Sequence, residues 1–429
     1  MYRGSQSHWF DGTGAITAVR VDGAEAFGAV RVVHTPSADR DAGRADNRYS
    51  GFLQKMSWGQ RVRVFAGGQA ARNTASINVL PWQQRLFALM ETTLPLEVDP
   101  VTLRSLGETD LHGVIPKGWN AHPHYVPARR TTYQFGLRIG QKVFLDVFAL
   151  PDSGGAQRLV SLALPGVMEV HDFFATDNHL VFVLPPLWCH PLQMLWEGSF
   201  AGALRWRPDA PTEVWIIPID DPQRVVRLKT EPFFFWHSAN AFERSSGGTR
   251  QIVLDLVRYA QFHDTLDFTI DVPAGRACKP QGGRLYRGEI DLDAQSVRWR
   301  RLADVPGEFP AVHPTRRALQ HRKVWMTSER IGAAGEGWAD HLVCIDVVSG
   351  AVDRIAAGPR CALSEPAIVA RSDRKNDVWL LALVRDLDAG ATHLAIWDGE
   401  RLDTGPVARA WFDQQLPPPL HGVWIPART

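Results

Sequence analysis

The stretch Val378-Trp-Leu-Leu-Ala-Leu-Val384, followed by His393-Leu-Ala-Ile-Trp397, indicates the fold class most directly. Each run is short, apolar and rich in β-branched or aromatic residues, which is typical of buried β-strands. Asp398 and Gly399 follow Trp397, and glycine supplies the positive φ that tight hairpin turns require. The segment therefore predicts strands that are joined by short turns.

The same pattern recurs along the whole chain. Tight turns are expected at Val21-Asp22-Gly23 and Val348-Ser349-Gly350, and no long segment keeps the 3.6-residue period of a helix. Because no linker-like composition divides the chain, one all-β domain over residues 1–429 is predicted. The other clear strand predictions are Ile16 to Val21, Lys142 to Leu150, Leu180 to Leu184, Glu213 to Ile219, Gln251 to Tyr259 and His341 to Val348.

Composition excludes several classes of protein. Of 429 residues, 45% are hydrophobic and 22% are charged, with a formal net charge of +1, so the chain can bury a core and shows no basic footprint for nucleic acid. The N-terminus lacks the apolar segment of a signal peptide, no run is long enough to span a membrane, and the four cysteines form no CxxC pair. We therefore expect a cytoplasmic protein with reduced thiols and no nucleic-acid partner.

Four of the fifteen histidines stand in distinctive surroundings. His122 lies in Gly118-Trp-Asn-Ala-His-Pro-His124, whereas His171, His237 and His421 are embedded in apolar or aromatic residues. A buried imidazole needs partners for its ring nitrogens, and a metal ion can be one of them. No HExxH or two-His-one-carboxylate spacing is present, so from the residues alone a hydrogen-bonded core histidine is the commoner explanation for each.

A series of short motifs runs in order along the chain: His8-Trp-Phe-Asp-Gly12, Arg72-Asn-Thr74, Leu86-Phe-Ala-Leu-Met-Glu91, Ala121-His-Pro123, His171-Asp-Phe173, His237 with Asn240, Asp255-Leu-Val-Arg-Tyr259, Glu308-Phe-Pro310, Ser364-Glu-Pro366 and His421-Gly422. In this order they resemble the carotenoid cleavage oxygenase family, and within it most of all the bacterial apocarotenoid oxygenases.

The resemblance implies a seven-bladed β-propeller with an axial Fe(II) site that is capped by loops. Its four ligands map to His122, His171, His237 and His421. His124, close to the first ligand, is not implied as one.

Three glutamates are also implied to support the site. Glu91, Glu308 and Glu365 match the family's carboxylates that accept the outer N–H groups of three ligand imidazoles. Such a carboxylate fixes the tautomer, aims the lone pair at the metal and raises ligand basicity. Glu97 and Glu243 are expected to be structural or to face solvent.

One departure concerns the start of the chain. Family members normally begin several tens of residues earlier, with a strand that helps to close the propeller. Here Met1 precedes His8 by only seven residues. We therefore expect that strand to be missing or replaced.

The resemblance further implies a dioxygenase that uses O2 to cleave a C=C bond into two aldehyde or ketone products. Stilbene-cleaving members typically carry lysine immediately before the first supporting glutamate, whereas this chain has Met90, which cannot donate a hydrogen bond. A linear apocarotenoid that yields a retinal-type aldehyde is therefore the favoured substrate. The alternatives are a stilbene or other phenylpropanoid alkene, and a non-catalytic propeller that serves as a binding scaffold.

Apolar residues next to the predicted ligands are candidates for the walls of a substrate tunnel: Met90, Phe173, Phe233, Phe235, Trp236 and Trp424. Segment 184–204 is unusually apolar for a connection between strands. It is interpreted as a lid over the propeller, as an exposed patch that contacts the membrane holding a hydrophobic polyene, or as both. A membrane contact would place the protein peripherally on the inner face of the membrane.

Overall fold

A computed structural model describes residues 10, 12–41, 56–65, 72–189, 191–266, 282–329, 339–417 and 419–427. Most of them are β-structure, which confirms the predicted all-β class. Among the motif residues, His8, Trp9 and Asp11 lie outside the described residues, as does Cys278. The described cysteines, Cys189, Cys344 and Cys361, are free thiols.

Antiparallel pairing organises the described strands into seven sheets. In chain order, the first sheet contains β1 (Ala15–Asp22) and β2 (Glu25–Val32), and the second contains β3 (Asn78–Trp82), β4 (Arg85–Leu89), β5 (Leu96–Val98) and β6 (Ser105–Glu108). The third contains β7 (His124–Val126), β8 (Thr131–Ile139), β9 (Val143–Pro151) and β10 (Gln157–Leu164). The fourth contains β11 (Val167–Met168), β14 (Leu187–Cys189) and β15 (Leu204–Trp206). The other three contain β12 (Phe174–Ala175), β13 (His179–Leu184), β16 (Thr212–Pro218) and β17 (Val226–Thr230); β18 (Phe234–Ser246), β19 (Thr249–Tyr259), β20 (Gly283–Asp291), β21 (Ser296–Ala311), β22 (Lys323–Ser328), β23 (His341–Asp346) and β24 (Val352–Ala356); and β25 (Cys361–Leu363), β26 (Ala367–Ala370), β27 (Val378–Asp386), β28 (Ala391–Asp398) and β29 (Pro406–Trp411).

Helices in the described part of the chain are short. The α-helices are α1 (Pro36–Asp41), α2 (Trp58–Phe65), α3 (Pro191–Glu197), α4 (Phe200–Ala203) and α5 (His263–Leu266), and 3-10 turns occupy Pro127–Arg129, Pro314–Arg316 and Leu402–Thr404. Among the described helices, none has the length and apolar character needed to cross a membrane.

The predicted strands are all present, and two of the three predicted turns contain a glycine with positive φ. Gly23 and Gly350 adopt φ of 60° and 76°, as hairpin turns require. Gly399 is absent from the positive-φ glycines of the described chain, and a 3-10 turn at Leu402–Thr404 lies between β28 and β29. A turn at 399–400 does follow β28, which pairs antiparallel with β29, so the predicted connection is present, but the positive φ expected of Gly399 is not. Glycine is needed there for space, since a Cβ would lie 2.4 Å from Val378 Cγ2.

The hydrophobic core is divided into clusters that lie between neighbouring sheets. One cluster packs β12, β13 and β16 against β18 and β19 through Phe174, Phe233 and Phe235. Another packs β8 and β9 against β13 and includes Phe173. Burying each such side chain contributes roughly 1.5–3 kcal/mol. Histidine-bearing segments lie at the edges of these sheets, since His122 precedes edge strand β7, His171 precedes edge strand β12 and His237 belongs to edge strand β18.

Two strands, β18 and β21, are irregular next to His237 and Glu308. The register of β18 with β19 shifts between Phe235 and Ser238, so His237 leaves the regular ladder. Strand β21 pairs with β20 up to Gly307 and with β22 from Glu308 onwards. Phe309, directly after this change of partner, has a φ of 54°, which is strained for a bulky residue. Bulges of this type re-aim side chains.

Candidate metal centre

The structure brings four predicted imidazoles together from distant parts of the chain. Ring nitrogens of His122, His171 and His237 all lie within 4.8 Å of one another. The Nε2 atoms of His171 and His237 face each other at 3.4 Å. The His421 ring lies 4.7 Å from that of His122 and 4.8 Å from that of His237. The cluster is compact enough to hold one ion.

Backbone contacts fix the loop that carries His122. Its N–H donates to Asn120 Oδ1 at 2.9 Å, and the Asn120 N–H donates to Phe135 O on β8 at 2.8 Å. The Ala121 carbonyl accepts from Asn78 Nδ2 on β3 at 2.8 Å. His122 is thus held between two neighbouring sheets by hydrogen bonds of its own loop.

His171 and His421 occupy extended segments outside the strands. His171 lies between β11 and β12, where the carboxylate of Asp172 accepts the Ser238 N–H at 2.7 Å and contacts His124 Nε2 at 2.7 Å. The His421 N–H donates to Ile77 O at 3.1 Å. His124 therefore pairs with a carboxylate instead of joining the cluster.

Three glutamates lie behind three of the imidazoles. A carboxylate oxygen of Glu91 lies 2.5 Å from His171 Nδ1, and one of Glu308 lies 2.6 Å from His237 Nδ1. An oxygen of Glu365 lies 3.1 Å from His421 Nδ1. Because His237 Nδ1 is hydrogen-bonded to Glu308, its Nε2 lone pair remains available inside the cluster. Glu97 instead pairs with Arg85, and Glu243 accepts from Thr176, Asn178 and His179.

Burial and the neighbouring charges separate the pKa values of the four histidines. Burial would lower the pKa of His171, but the Glu91 carboxylate outweighs it and the net shift is upward. His421 is likewise raised, because Glu365 outweighs its burial. For His237 burial prevails over Glu308 and the pKa falls.

His122 differs from the other three. Burial, followed by repulsion from the neighbouring imidazoles, holds its pKa well below the usual range, so the ring stays neutral. Its Nε2 atom is buried and has no hydrogen-bond partner among the described residues. An unsatisfied buried nitrogen is costly unless something binds it. A metal ion at the centre of the four rings would satisfy this atom.

The predicted tunnel walls are only partly supported. Phe173 and Phe233 have no exposed surface and Phe235 is 2% exposed, because all three pack between sheets. These three side chains pack as core residues, and for them a tunnel role stays a prediction. Trp236 is partly buried, with its ring 4.6 Å from that of His171. Met90 and Trp424 are accessible, and for them a tunnel role stays a prediction.

Several residues around the site escaped sequence reasoning. Glu169 is buried within 4.8 Å of Glu91 and His171, and its pKa is raised to about 8, chiefly by burial and then by the Glu91 charge. Tyr259 O–H donates to Glu308 Oε1 at 2.7 Å. A glutamate inside the apolar run Val167-Met-Glu-Val170 was a usable signal. For Tyr259 the sequence offers none beyond the motif in which it stands.

Fold and site together define a β-sheet protein with a four-histidine cluster supported by three carboxylates. The family model described as retinal pigment epithelial membrane protein matches residues 2–426, so the chain belongs to that family. This confirms the family that the motifs predicted. The chain is an oxygenase of the carotenoid cleavage type, the enzymes that cleave C=C bonds.

Individual relatives and a solved structure agree with this placement. The chain is 26% identical to the apocarotenoid-15,15'-oxygenase of Synechocystis sp. over 97% of its own length and 86% of that protein. It is also 26% identical to resveratrol cleavage oxygenase 1 of Aspergillus fumigatus, over 98% and 86%. The structure of a Synechocystis ACO mutant superimposes with a TM-score of 0.85 at 25% identity, covering 98% of this chain and 89% of that one. The two curated relatives differ in the substrate that their names give.

Proposed function

We propose that this chain is a non-haem iron(II) dioxygenase that cleaves a double bond of a linear apocarotenoid with O2. The observation that carries the proposal is the buried, unpartnered Nε2 of His122 at the centre of three further imidazoles. Neutral imidazole donors suit iron(II), and the described cluster offers no thiolate that would favour zinc. His122, His171, His237 and His421 would hold the metal.

The surrounding side chains define the chemistry that such a centre can perform. Bound iron(II) would supply the means to bind and activate O2 beside an alkene. Glu91, Glu308 and Glu365 hold three rings in one tautomer, so their inner nitrogens remain acceptors. Trp236 and Phe309, which pack on His171 and His237, keep water away from the rings. The protein thus positions and shields the substrate without a general acid or base.

A seven-bladed propeller over residues 1–429 is the architecture we propose for the sheets. Dividing the seven-stranded sheet at Glu308, where β21 changes partner, gives two four-stranded units. Together with the sheets headed by β1, β3, β7, β12 and β25, they make seven units in chain order. The three-stranded sheet of β11, β14 and β15 then forms part of the cap above the axis. This arrangement would bring the ligands to the axis.

The nature of position 90 supports an apocarotenoid over a stilbene. Met90 is half-buried, and its sulfur accepts from Thr74 Oγ1 at 3.1 Å. A thioether cannot replace the lysine expected in stilbene-cleaving members, because it has no N–H to donate to a phenol. The hydrophobic polyene of an apocarotenal needs no such donor. The similarity to the Synechocystis apocarotenoid oxygenase agrees with this choice.

An exposed apolar surface supports contact with a membrane. Trp196 in α3 is 77% exposed and Leu192 58%, and both belong to segment 184–204. Helix α2 extends the surface with Trp58 and Val62, each 58% exposed, and the two tryptophan rings lie 6.2 Å apart. Exposed tryptophans beside a basic side chain, here Arg61, are typical of membrane-surface binding. We propose that this surface collects the polyene on the cytoplasmic side of a membrane.

Metal analysis combined with product analysis tests the proposal. Purified protein loaded anaerobically with iron(II) should retain about one equivalent of metal, His237→Ala should lose it, and His124→Ala should keep it. With O2 and an apocarotenal, the loaded enzyme should release a retinal-type aldehyde, whereas a hydroxystilbene should remain intact. Product from the stilbene alone would establish the alternative substrate class, and failure to retain iron would point to a non-catalytic scaffold.

A further inference from the structure

The support of His237 extends one residue beyond Glu308. Glu308 Oε2 contacts His237 Nδ1 at 2.6 Å and accepts the Phe309 N–H at 2.8 Å. Its other oxygen, Oε1, accepts the hydroxyl of Tyr259 at 2.7 Å. Both carboxylate oxygens are therefore held by donors of different strands, which leaves Glu308 a single orientation.

The structure makes room for the Tyr259 ring at this place. Tyr259 is 7% exposed at the end of β19, beside Phe234 of β18. Opposite the ring stands Gly283, where a Cβ would lie 3.0 Å from Cε2 and Cζ of the ring and 2.3 Å from Val257 Cγ1. Gly283 pairs in register with Gly307, the residue before Glu308. Neither position accepts a side chain, because a Cβ at Gly307 would lie 2.0 Å from Met326 Cε.

The hydroxyl is a donor at all ordinary pH values. Burial and then the Glu308 charge raise the pKa of Tyr259 well above its usual range, so the proton stays on the phenol. A hydrogen bond to a charged acceptor is stronger than one between two neutral groups. It also draws negative charge away from the oxygen that faces His237 Nδ1.

We propose that Tyr259 is a positioning residue of the metal centre, which acts through Glu308 to fix the orientation and basicity of His237. This role rests on the proposed function, since it requires that His237 binds a metal. The other two supporting carboxylates have no comparable phenol among the described residues: Glu365 accepts the Gly422 N–H at 3.0 Å, and Glu91 lies near Glu169. His237 would thus be the most rigidly held of the ligands.

The test is Tyr259→Phe, which removes one hydroxyl and keeps the ring. We expect the iron(II) affinity to be about 3–10-fold weaker, because Glu308 gains rotational freedom. This loss is smaller than the roughly 10–100-fold loss that is typical when a direct supporting partner of a ligand is removed. The reduction potential of the bound iron should fall, since a carboxylate without the phenol is more basic. The ligand-field bands of the cobalt(II)-substituted protein should shift as well. A lower kcat with unchanged KM is expected, because Tyr259 lies behind the ligand and away from the substrate.

Two further variants make the result decisive. Tyr286→Phe removes a hydroxyl from the adjacent strand of the same sheet, where the ring packs near Arg258, and should change none of these readouts. In a Glu308→Gln background, Tyr259→Phe should add no further loss of affinity. Equal affinity, potential and cobalt spectrum in wild type and Tyr259→Phe would overturn the role of Tyr259 alone. A wild-type protein that binds no iron would overturn the proposed function and this role with it.

Discussion

On one side of the histidine cluster, Glu308 accepts from the Tyr259 hydroxyl and the Phe309 amide and contacts His237. On the other side, Glu91 contacts His171 and lies within 4.8 Å of a second carboxyl group, that of Glu169. Both carboxylates support an imidazole in the same way. Their surroundings differ, because hydrogen-bond donors fix Glu308, whereas Glu91 lies beside a second buried carboxyl group whose pKa is raised.

The difference follows from the elements that carry each side. Glu308 stands where β21 changes partner inside the largest sheet, so its surroundings are tied to long strands. Glu169 follows β11 in the three-stranded sheet, and its N–H donates to Leu187 O of β14. That sheet continues into the segment with the exposed helix α3. We infer that the His237 side is the rigid one and that the His171 side is coupled to the cap.

The comparison predicts unequal losses when each carboxylate is neutralised. In Glu308→Gln, one carbonyl oxygen must replace the two carboxylate oxygens that face His237, Tyr259 and the Phe309 N–H. The new amide NH2 group would face one of these donors, so the iron(II) affinity should fall about 10–100-fold. In Glu91→Gln, Glu169 loses the neighbouring charge that helps to raise its pKa, so it ionises more readily beside His171 and partly replaces the lost carboxylate, and the fall should stay below about tenfold. Competition with a chelator under anaerobic conditions measures both affinities.

The control for this pair is Glu97→Gln. Glu97 pairs with Arg85 away from the histidines, and its replacement should leave the metal affinity unchanged. Equal losses for Glu308→Gln and Glu91→Gln would remove the distinction between the two sides.

A smaller effect concerns the pH dependence of stability in the metal-free protein. The pKa of Glu169 is about 8 when folded, above its ordinary value of 4.5, so the folded state binds the extra proton between these limits. Stability from this group is therefore complete below about pH 4.5 and declines as the pH rises towards 8, by about 1.4 kcal/mol per unit of pKa shift at most. Glu169→Gln should remove that decline, which shows as a Tm advantage over wild type that grows from pH 5 to pH 8.

Glu243 provides a control of opposite sign. Burial would raise the pKa of Glu243, but hydrogen-bond donors including His179, Thr176 and Asn178 outweigh burial and lower the pKa to about 2. Its contribution to the stability of the folded state is therefore present above about pH 4.5 and is lost as the pH falls towards 2. Glu243→Gln should therefore lower the Tm at neutral pH, with a smaller deficit in acid. A Glu169→Gln variant whose Tm difference from wild type does not change between pH 5 and pH 8 would contradict the assigned shift.

Sequence reasoning reached the strands and the four histidines by different routes. Strands such as β27 follow from local composition, because a buried strand needs only apolar residues between turns. His122 and His421 are far apart in the chain, and only the ordered motifs suggested that they meet. Tyr259 and Glu169 could not be assigned, since their roles depend on which strands become neighbours. The burial of Phe173, Phe233 and Phe235 between sheets could not be predicted either, because closeness to a histidine in sequence does not say which face of a strand packs in the core.

The smallest predicted effect tests whether the cap side meets a membrane. Replacing both Trp58 and Trp196 by serine removes an exposed ring from each of α2 and α3, and binding to anionic phospholipid vesicles should fall about 3–10-fold as buried apolar area is lost. Trp411→Ser is the matched control, because Trp411 is 52% exposed on β29, in a different sheet. Vesicle sedimentation measures the binding. Cleavage of an apocarotenal presented in vesicles should slow in the double variant, whereas cleavage in detergent should not, because the rings lie outside the histidine cluster. Unchanged vesicle binding would mean that α2 and α3 serve only as a lid. The cap to which the His171 side is coupled would then not contact a membrane.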